Sequence, residues 1–320
     1  VFRVRAMLSF WESRLGEAES AISALNDANR IFECLAPELR ADAGESLLLL
    51  AAAELRLGNL DRAITYASTG LEGAERRGNS STWVIFALSL HFALINAGRI
   101  AETAEVLSMA EDRARLLEIR ALLAPVLAGR GAAEAVSGTA AHAAELLRRA
   151  EAHSDLIRHP EIEGDVALHV AWAWMVLGDP QASERDVTQV MESPDFSTLG
   201  IVQRTMAFAI ACWAAGETGD KAAAAHWSQC ASEAADRLVT ASQYWELRTK
   251  WILAGLEGDA VNAARHAAAS VASARAAGCP IEEGIAGIEA GRQLTKIGEH
   301  AEAVAALTNA RTVLLSIGAD

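Results

Sequence analysis

The stretch Leu55 to Gly78, LRLGNLDRAITYASTGLEGAERRG, decides the fold. It begins at the end of an apolar helical run, Ser46 to Leu57 (SLLLLAAAELRL), and breaks at Gly58-Asn59-Leu60-Asp61, the composition of a tight turn. Arg62 to Arg77 then reads as a second helix, ended by Gly78 in the left-handed conformation that closes helix C-termini. Two small residues stand on this second helix: Ala63, five places after the turn glycine, and Gly70, twelve places after it. Lying seven apart they share one stripe, where a missing side chain lets a neighbouring helix approach to ~8–10 Å. The unit is a hairpin of helix A, turn and helix B.

Outward from this unit the same turn glycine returns as Gly16, Gly98, Gly138, Gly178, Gly219, Gly258 and Gly298. Five places on come Ala21, Thr103, Ala143, Ser183, Ala224, Ala263 and Ala303. Twelve places on come Ala28, Ala110, Ala150, Val190, Ala231, Ser270 and Ala310, with Val190 alone breaking the pattern. Three aligned columns at a period near 40 residues outrank any single-residue motif as evidence. They predict one all-α repeat domain over 1–320, an α-solenoid of about eight hairpins, with units at approximately 1–40, 41–80, 81–120, 121–160, 161–200, 201–240, 241–280 and 281–320. Gly78, Gly278 and Gly318 are expected to cap second helices, and Pro37, Pro160 and Pro280 to stop them in other units. Leu25, Leu107, Leu147 and Leu307, nine places after their glycines, read as knobs entering the notches left by the small residues. Register is least regular at Leu127 to Gly138 and at Gly216-Glu217-Thr218-Gly219, where several glycines compete for the turn.

Composition narrows function chiefly by exclusion. The chain is 52% hydrophobic, with a net charge of −14, and only Lys221, Lys250 and Lys296 among its 28 basic residues are lysine. Nothing basic is clustered, which argues against contact with nucleic acid. Cys34, Cys212, Cys230 and Cys279 lie far apart, with neither a C-x-x-C pair nor histidines at ligand spacing, so neither a disulfide framework nor a zinc site is expected. No apolar run reaches the roughly 18–20 residues of a membrane span, and VFRVRAMLSFW lacks the order of a signal peptide, so the expected home is the cytoplasm. The first residue is Val, as in a fragment of a larger protein.

The turn glycine with small residues at plus five and plus twelve resembles the second half of the tetratricopeptide repeat consensus, in a longer unit. Units of this length resemble the MalT-type sensor superhelix of the large ATP-binding regulators of the LuxR family. Leu55 to Gly78 and Leu294 to Ala319 (LTKIGEHAEAVAALTNARTVLLSIGA) carry the resemblance. It implies a tetratricopeptide-like right-handed superhelix whose first helices line a concave groove. It also implies a nucleotide-binding module upstream and a helix-turn-helix downstream. This chain has no G-x-x-x-x-G-K-[ST] phosphate loop, so neither activity is assigned to it.

Eight tryptophans are many for a chain with 5% aromatic residues. In the resembled arrays, the position six before the turn glycine points inward, which selects Phe10, Phe92, Trp172, Trp213 and Ile252. Trp245, Arg248 and Asp165 take further inward positions, and Phe92, Asp165, Trp172, Trp213, Trp245 and Arg248 together form the candidate ligand site. The alternative is that the rings fill the interface between helices A and B and that the charges pair on the surface. Trp172 and Trp174 are two apart, about 200° around a helix, so at most one faces the groove. Glu282-Glu283 and Glu161/Glu163 read as solvated helix starts. The eight histidines, His159 among them, show no H-E-x-x-H, and no G-x-S-x-G elbow occurs. No catalytic residue, cofactor or metal is therefore predicted. The expected role is to sense a small molecule, peptide or protein in the groove on behalf of a transcriptional regulator, or alternatively to act as a protein-interaction scaffold.

Overall fold

The computed structural model describes residues 1–154, 157, 160–235 and 242–319, less the side chains of 41, 160 and 161. Its described residues are helical with no strands, and they form eight hairpins. These pair α1 (Phe2–Leu15) with α2 (Ala18–Glu33), α4 (Glu45–Arg56) with α5 (Leu60–Arg76), α6 (Ser80–Asn96) with α7 (Ile100–Leu116), and α8 (Arg120–Val136) with α9 (Ala140–Ser154). The second half pairs α10 (Pro160–Val176) with α11 (Pro180–Glu192), α12 (Ile201–Thr218) with α13 (Lys221–Ala235), α14 (Gln243–Glu257) with α15 (Ala260–Ala276), and α16 (Pro280–Lys296) with α17 (His300–Ser316). A five-residue helix, α3 (Pro37–Ala41), and a 3-10 turn at Phe196–Thr198 are the extra pieces.

All eight turn glycines have φ between +71° and +86°, a backbone that side chains disfavour. Each lets the next N–H reach back five residues, as Asn59 does to the Glu54 carbonyl at 2.8 Å and Asp179 to Trp174 at 2.9 Å. The competing glycines are settled the same way: Gly138 and Gly219 turn, while Gly129, Gly131 and Gly216 stay inside helices. Pro37, Pro160 and Pro280 begin the following helices instead of stopping the preceding ones, because a first-turn position needs no amide hydrogen. In the unit of Gly98, the capping place held by glycine elsewhere belongs to Glu118, the one non-glycine residue with positive φ (+55°) among those described.

Every residue of the plus-five and plus-twelve columns is buried. Gly70 is a notch for the next unit, since a Cβ there would lie 2.0 Å from the Phe86 ring. The leucine knobs enter notches of another kind. Leu107, Leu147 and Leu307 fill the space beside Gly129, Gly131 and Gly291, which are glycines of A helices and not the small residues of B helices.

The stack curves until distant units touch. A Cβ on Gly98 would lie 2.4 Å from Pro280 Cγ and 2.6 Å from Ile317 Cγ2. One on Gly278 would lie 3.6 Å from Leu60 Cδ1. Cys279 Sγ sits 3.9 Å from Asn96 Oδ1, and one apolar core runs from Leu60, Ile95 and Ile100 to Ile281 and Ala319. The Arg14 guanidinium at the end of α1 donates to the Thr198 carbonyl just ahead of α12. Units two and three therefore abut units seven and eight, and the concave face becomes the inside of a ring. No helix among the described residues is long and apolar enough to cross a membrane.

Candidate functional site

The ring encloses a cavity of about 540 Å³, within the range that holds small ligands. All eight A helices reach it, whereas the B helices contribute only Leu60. Its wall is mostly aliphatic and aromatic, interrupted by a few polar groups concentrated on α10, α12, α14 and α16.

Phe92, Asp165, Trp172 and Trp245 line this cavity, while Trp213 and Arg248 do not. Arg248 is 2% exposed and lies behind the wall, its guanidinium carbon 4.5 Å from the Trp213 ring centroid and 5.2 Å from that of Trp245. That face-on geometry suits a cation desolvated against aromatic rings. The remaining interaction of Arg248 is an ion pair with Glu282, which lines the cavity and also accepts a 3.1 Å hydrogen bond from Trp172 Nε1. One carboxylate thus ties α10, α14 and α16 together. Four of the six candidates, Trp172, Trp213, Trp245 and Arg248, belong to this connected unit, though only two of them face the cavity.

The reading of Glu282 and Glu283 as a solvated helix start is corrected: they are 6% and 9% exposed. The first turn of α16 packs against the preceding unit, so Glu282 takes Arg248 of α14 as partner and Glu283 takes Arg275 of α15 at 2.7 Å. Burial pushes the Glu282 carboxyl above its usual range, against the opposing pull of Arg248 and of the Trp172 hydrogen bond. His159 and the side chain of Glu161 lie outside the described residues.

Asp165 accepts from Gln203 Nε2 at 3.0 Å, and its backbone carbonyl holds His169 Nδ1 at 2.6 Å. Asp165, His169 and Trp172 follow the i, i+4, i+7 spacing of one helix face, a signal present in the sequence. Phe92 packs 4.6 Å from the His169 ring and 4.1 Å from His91, centroid to centroid. Burial lowers the pKa of both histidines, favouring their neutral imidazoles. Trp174 turns away from the cavity and donates to Glu151 at 3.0 Å, so one indole of the pair faces inward.

Sequence reasoning passed over Tyr244, Glu282, Gln203 and Cys279, all of which line the cavity. Burial raises the Cys279 thiol to about 12 and holds the Tyr244 phenol well above its ordinary value. The cavity therefore offers an apolar body with neutral or paired polar groups, an environment suited to holding a ligand. No cluster of three metal-ligating side chains occurs among the described residues.

No protein-family model and no curated protein sequence matches this chain. Among solved structures, it is similar to a Rap protein complexed with competence and sporulation factor, at a TM-score of 0.67 and 11% identity, covering 99% of both chains. The apo form of RapI aligns at a TM-score of 0.45 and 11% identity over 98% of this chain and 97% of that one. At this identity the first likeness shows the fold alone, a tetratricopeptide-like helical-repeat superhelix.

Proposed function

We propose that this chain is a ligand-sensing helical-repeat domain that acts by binding and not by catalysis. The observation that carries the reading is the cavity, apolar for most of its wall and reached by every A helix, so that one ligand touches units far apart in sequence. The Rap protein of similar fold is complexed with competence and sporulation factor, which supports ligand binding as a use of this superhelix. The leading placement is a cytoplasmic LuxR-type transcriptional regulator, because the long repeat unit resembles the sensor part of that family. A scaffold or adaptor for other proteins is the second reading, favoured by a fold whose outer helices stay open to partners. A phosphate loop and a helix-turn-helix encoded in the same gene support the regulator, and their absence supports the adaptor.

The site is tested with N-phenyl-1-naphthylamine, a neutral apolar fluorescent probe. Trp172→Ala is expected to weaken probe binding by about tenfold with the helical circular dichroism preserved, as loss of an aromatic anchor does. Unchanged affinity in Trp172→Ala, or no binding by the unmodified protein, defeats this assignment of the site.

A further inference from the structure

The corner between α15 and α16 does two things at once. Ala277, Cys279, Ile281 and Glu282 form one side of the cavity. The same corner makes the seam that closes the ring, through Gly278 against Leu60, Cys279 against Asn96, and Pro280 against Gly98. On the other side of the seam, Leu60, Ile95 and Asn96 also line the cavity. Seam and site therefore share residues from two arms more than 180 positions apart in the chain.

The seam is weakly made. At this corner it consists of apolar tips and one long thiol contact; the charged hydrogen bond between distant units, from Arg14 to the Thr198 carbonyl, lies elsewhere, between α1 and the start of α12. Within each arm, by contrast, neighbouring units are joined along whole helices. Opening at the seam is expected to cost less than separating two adjacent units, because side-chain tips bury less apolar surface than helices packed along their length.

We propose that the cavity takes a compact, predominantly apolar ligand that touches both arms at once and holds the ring shut. This rests on the reading of the cavity as the ligand site. A ligand that contacts Ile95 on one arm and Ile281 on the other has its full contact area only in the closed ring, so it binds that form more tightly and shifts the population toward it. The fit excludes a long extended segment, since about 540 Å³ accommodates a small molecule or a few side chains. Occupancy is thereby converted into the relative position of the first and last units.

Cys279 reports the seam directly and Cys212 is its internal control. Both thiols are buried, and burial raises both to about 12, so their resistance to alkylation while buried is matched. Cys212 lies within α12, away from the seam. In a Cys34→Ser/Cys230→Ser background, a maleimide is expected to label Cys279 about tenfold faster than Cys212, as local opening precedes global unfolding. Saturating N-phenyl-1-naphthylamine is expected to slow Cys279 and leave Cys212 unchanged.

Simple shielding of Cys279 by the probe is separated by Ile317→Ala. Ile317 packs on Gly98 in the seam but does not line the cavity. Its truncation is expected to speed Cys279 labelling and to weaken the probe several-fold. Equal labelling rates for Cys279 and Cys212 overturn the mobile seam. Probe binding with wild-type affinity in Ile317→Ala overturns the coupling while the ligand site stands. Failure of the unmodified protein to bind the probe overturns the site reading and the clamp with it, while the labelling ratio still scores the seam by itself.

Discussion

Phe92 and Trp213 stand six residues before their turn glycines and hold the same place in their units, yet only Phe92 reaches the cavity. The two arms of the ring meet the cavity differently. In the early arm, α4 and α6 face it along most of their length, from Leu48 to Arg56 and from Ile85 to Asn96. In the late arm, α12, α14 and α16 offer only their N-terminal ends, with Val202, Gln203, Met206, Tyr244, Trp245, Ile281 and Glu282. Thirteen residues before the turn glycine, five consecutive units all face inward, through Ile85, Pro125, Asp165, Met206 and Trp245. In a superhelix each unit is rotated and raised relative to the last, so the inward position drifts along the helix. A fixed register names cavity residues in one arm and wall residues in the other.

The strongest way to break this comparison is at Arg248, which the late arm buries. Arg248→Met is expected to cost about 3–5 kcal/mol in urea denaturation, because Glu282 is left as an uncompensated buried carboxylate. Arg248→Met combined with Glu282→Leu should recover most of that loss. A single-variant loss below about 1 kcal/mol, the range of exposed ion pairs, would return Arg248 to the surface and Trp213 to the groove.

A smaller effect sharpens the contrast within one column. Ala52 and Ala132 both stand six before their turn glycines; Ala52 lines the cavity, whereas Ala132 is 0% exposed and absent from its wall. Ala132→Leu should destabilise by about 1–3 kcal/mol through overpacking. Ala52→Leu should stay within about 0.5 kcal/mol of the unmodified protein, because its new atoms enter empty space, and should displace the fluorescent probe. Equal thermal midpoints for the two variants would contradict the drift.

The smallest effect belongs to the local rules that both arms obey. Glu118 holds a left-handed backbone at +55° where other units use glycine. Glu118→Gly should stabilise the protein by about 1 kcal/mol in thermal unfolding, as relief of that conformation predicts. A lowered midpoint would mean that the Glu118 side chain contributes more than its backbone costs.

Much of the fold was legible because it is written in short intervals. Gly58, Ala63 and Gly70 are enough to describe a hairpin, and their counterparts are all buried or left-handed as that description requires. The leucine knobs were half legible: Leu107 and Leu147 are buried as expected, but their notches are Gly129 and Gly131 on A helices, which no plus-five or plus-twelve column contains. The cavity wall was legible where one helix carries it, as with Asp165 and Trp172 on α10. Glu282 was misread because an acidic pair at a helix start is usually solvated, and its burial depends on Trp172, which is 110 residues away.

The sequence by itself determined the hairpin, its period and its packing stripe, because each depends on interactions between residues within one or two units. A turn must be left-handed and a helix crossing must be small, and both demands fall on single positions. Only the tertiary structure decided where the ring closes, which ends of the helices face its cavity, and that Glu282 joins Trp172 to Arg248. Those outcomes depend on small rotations added from unit to unit until Cys279 arrives beside Asn96. No local pattern records that sum, so the cavity exists only once the whole chain has turned.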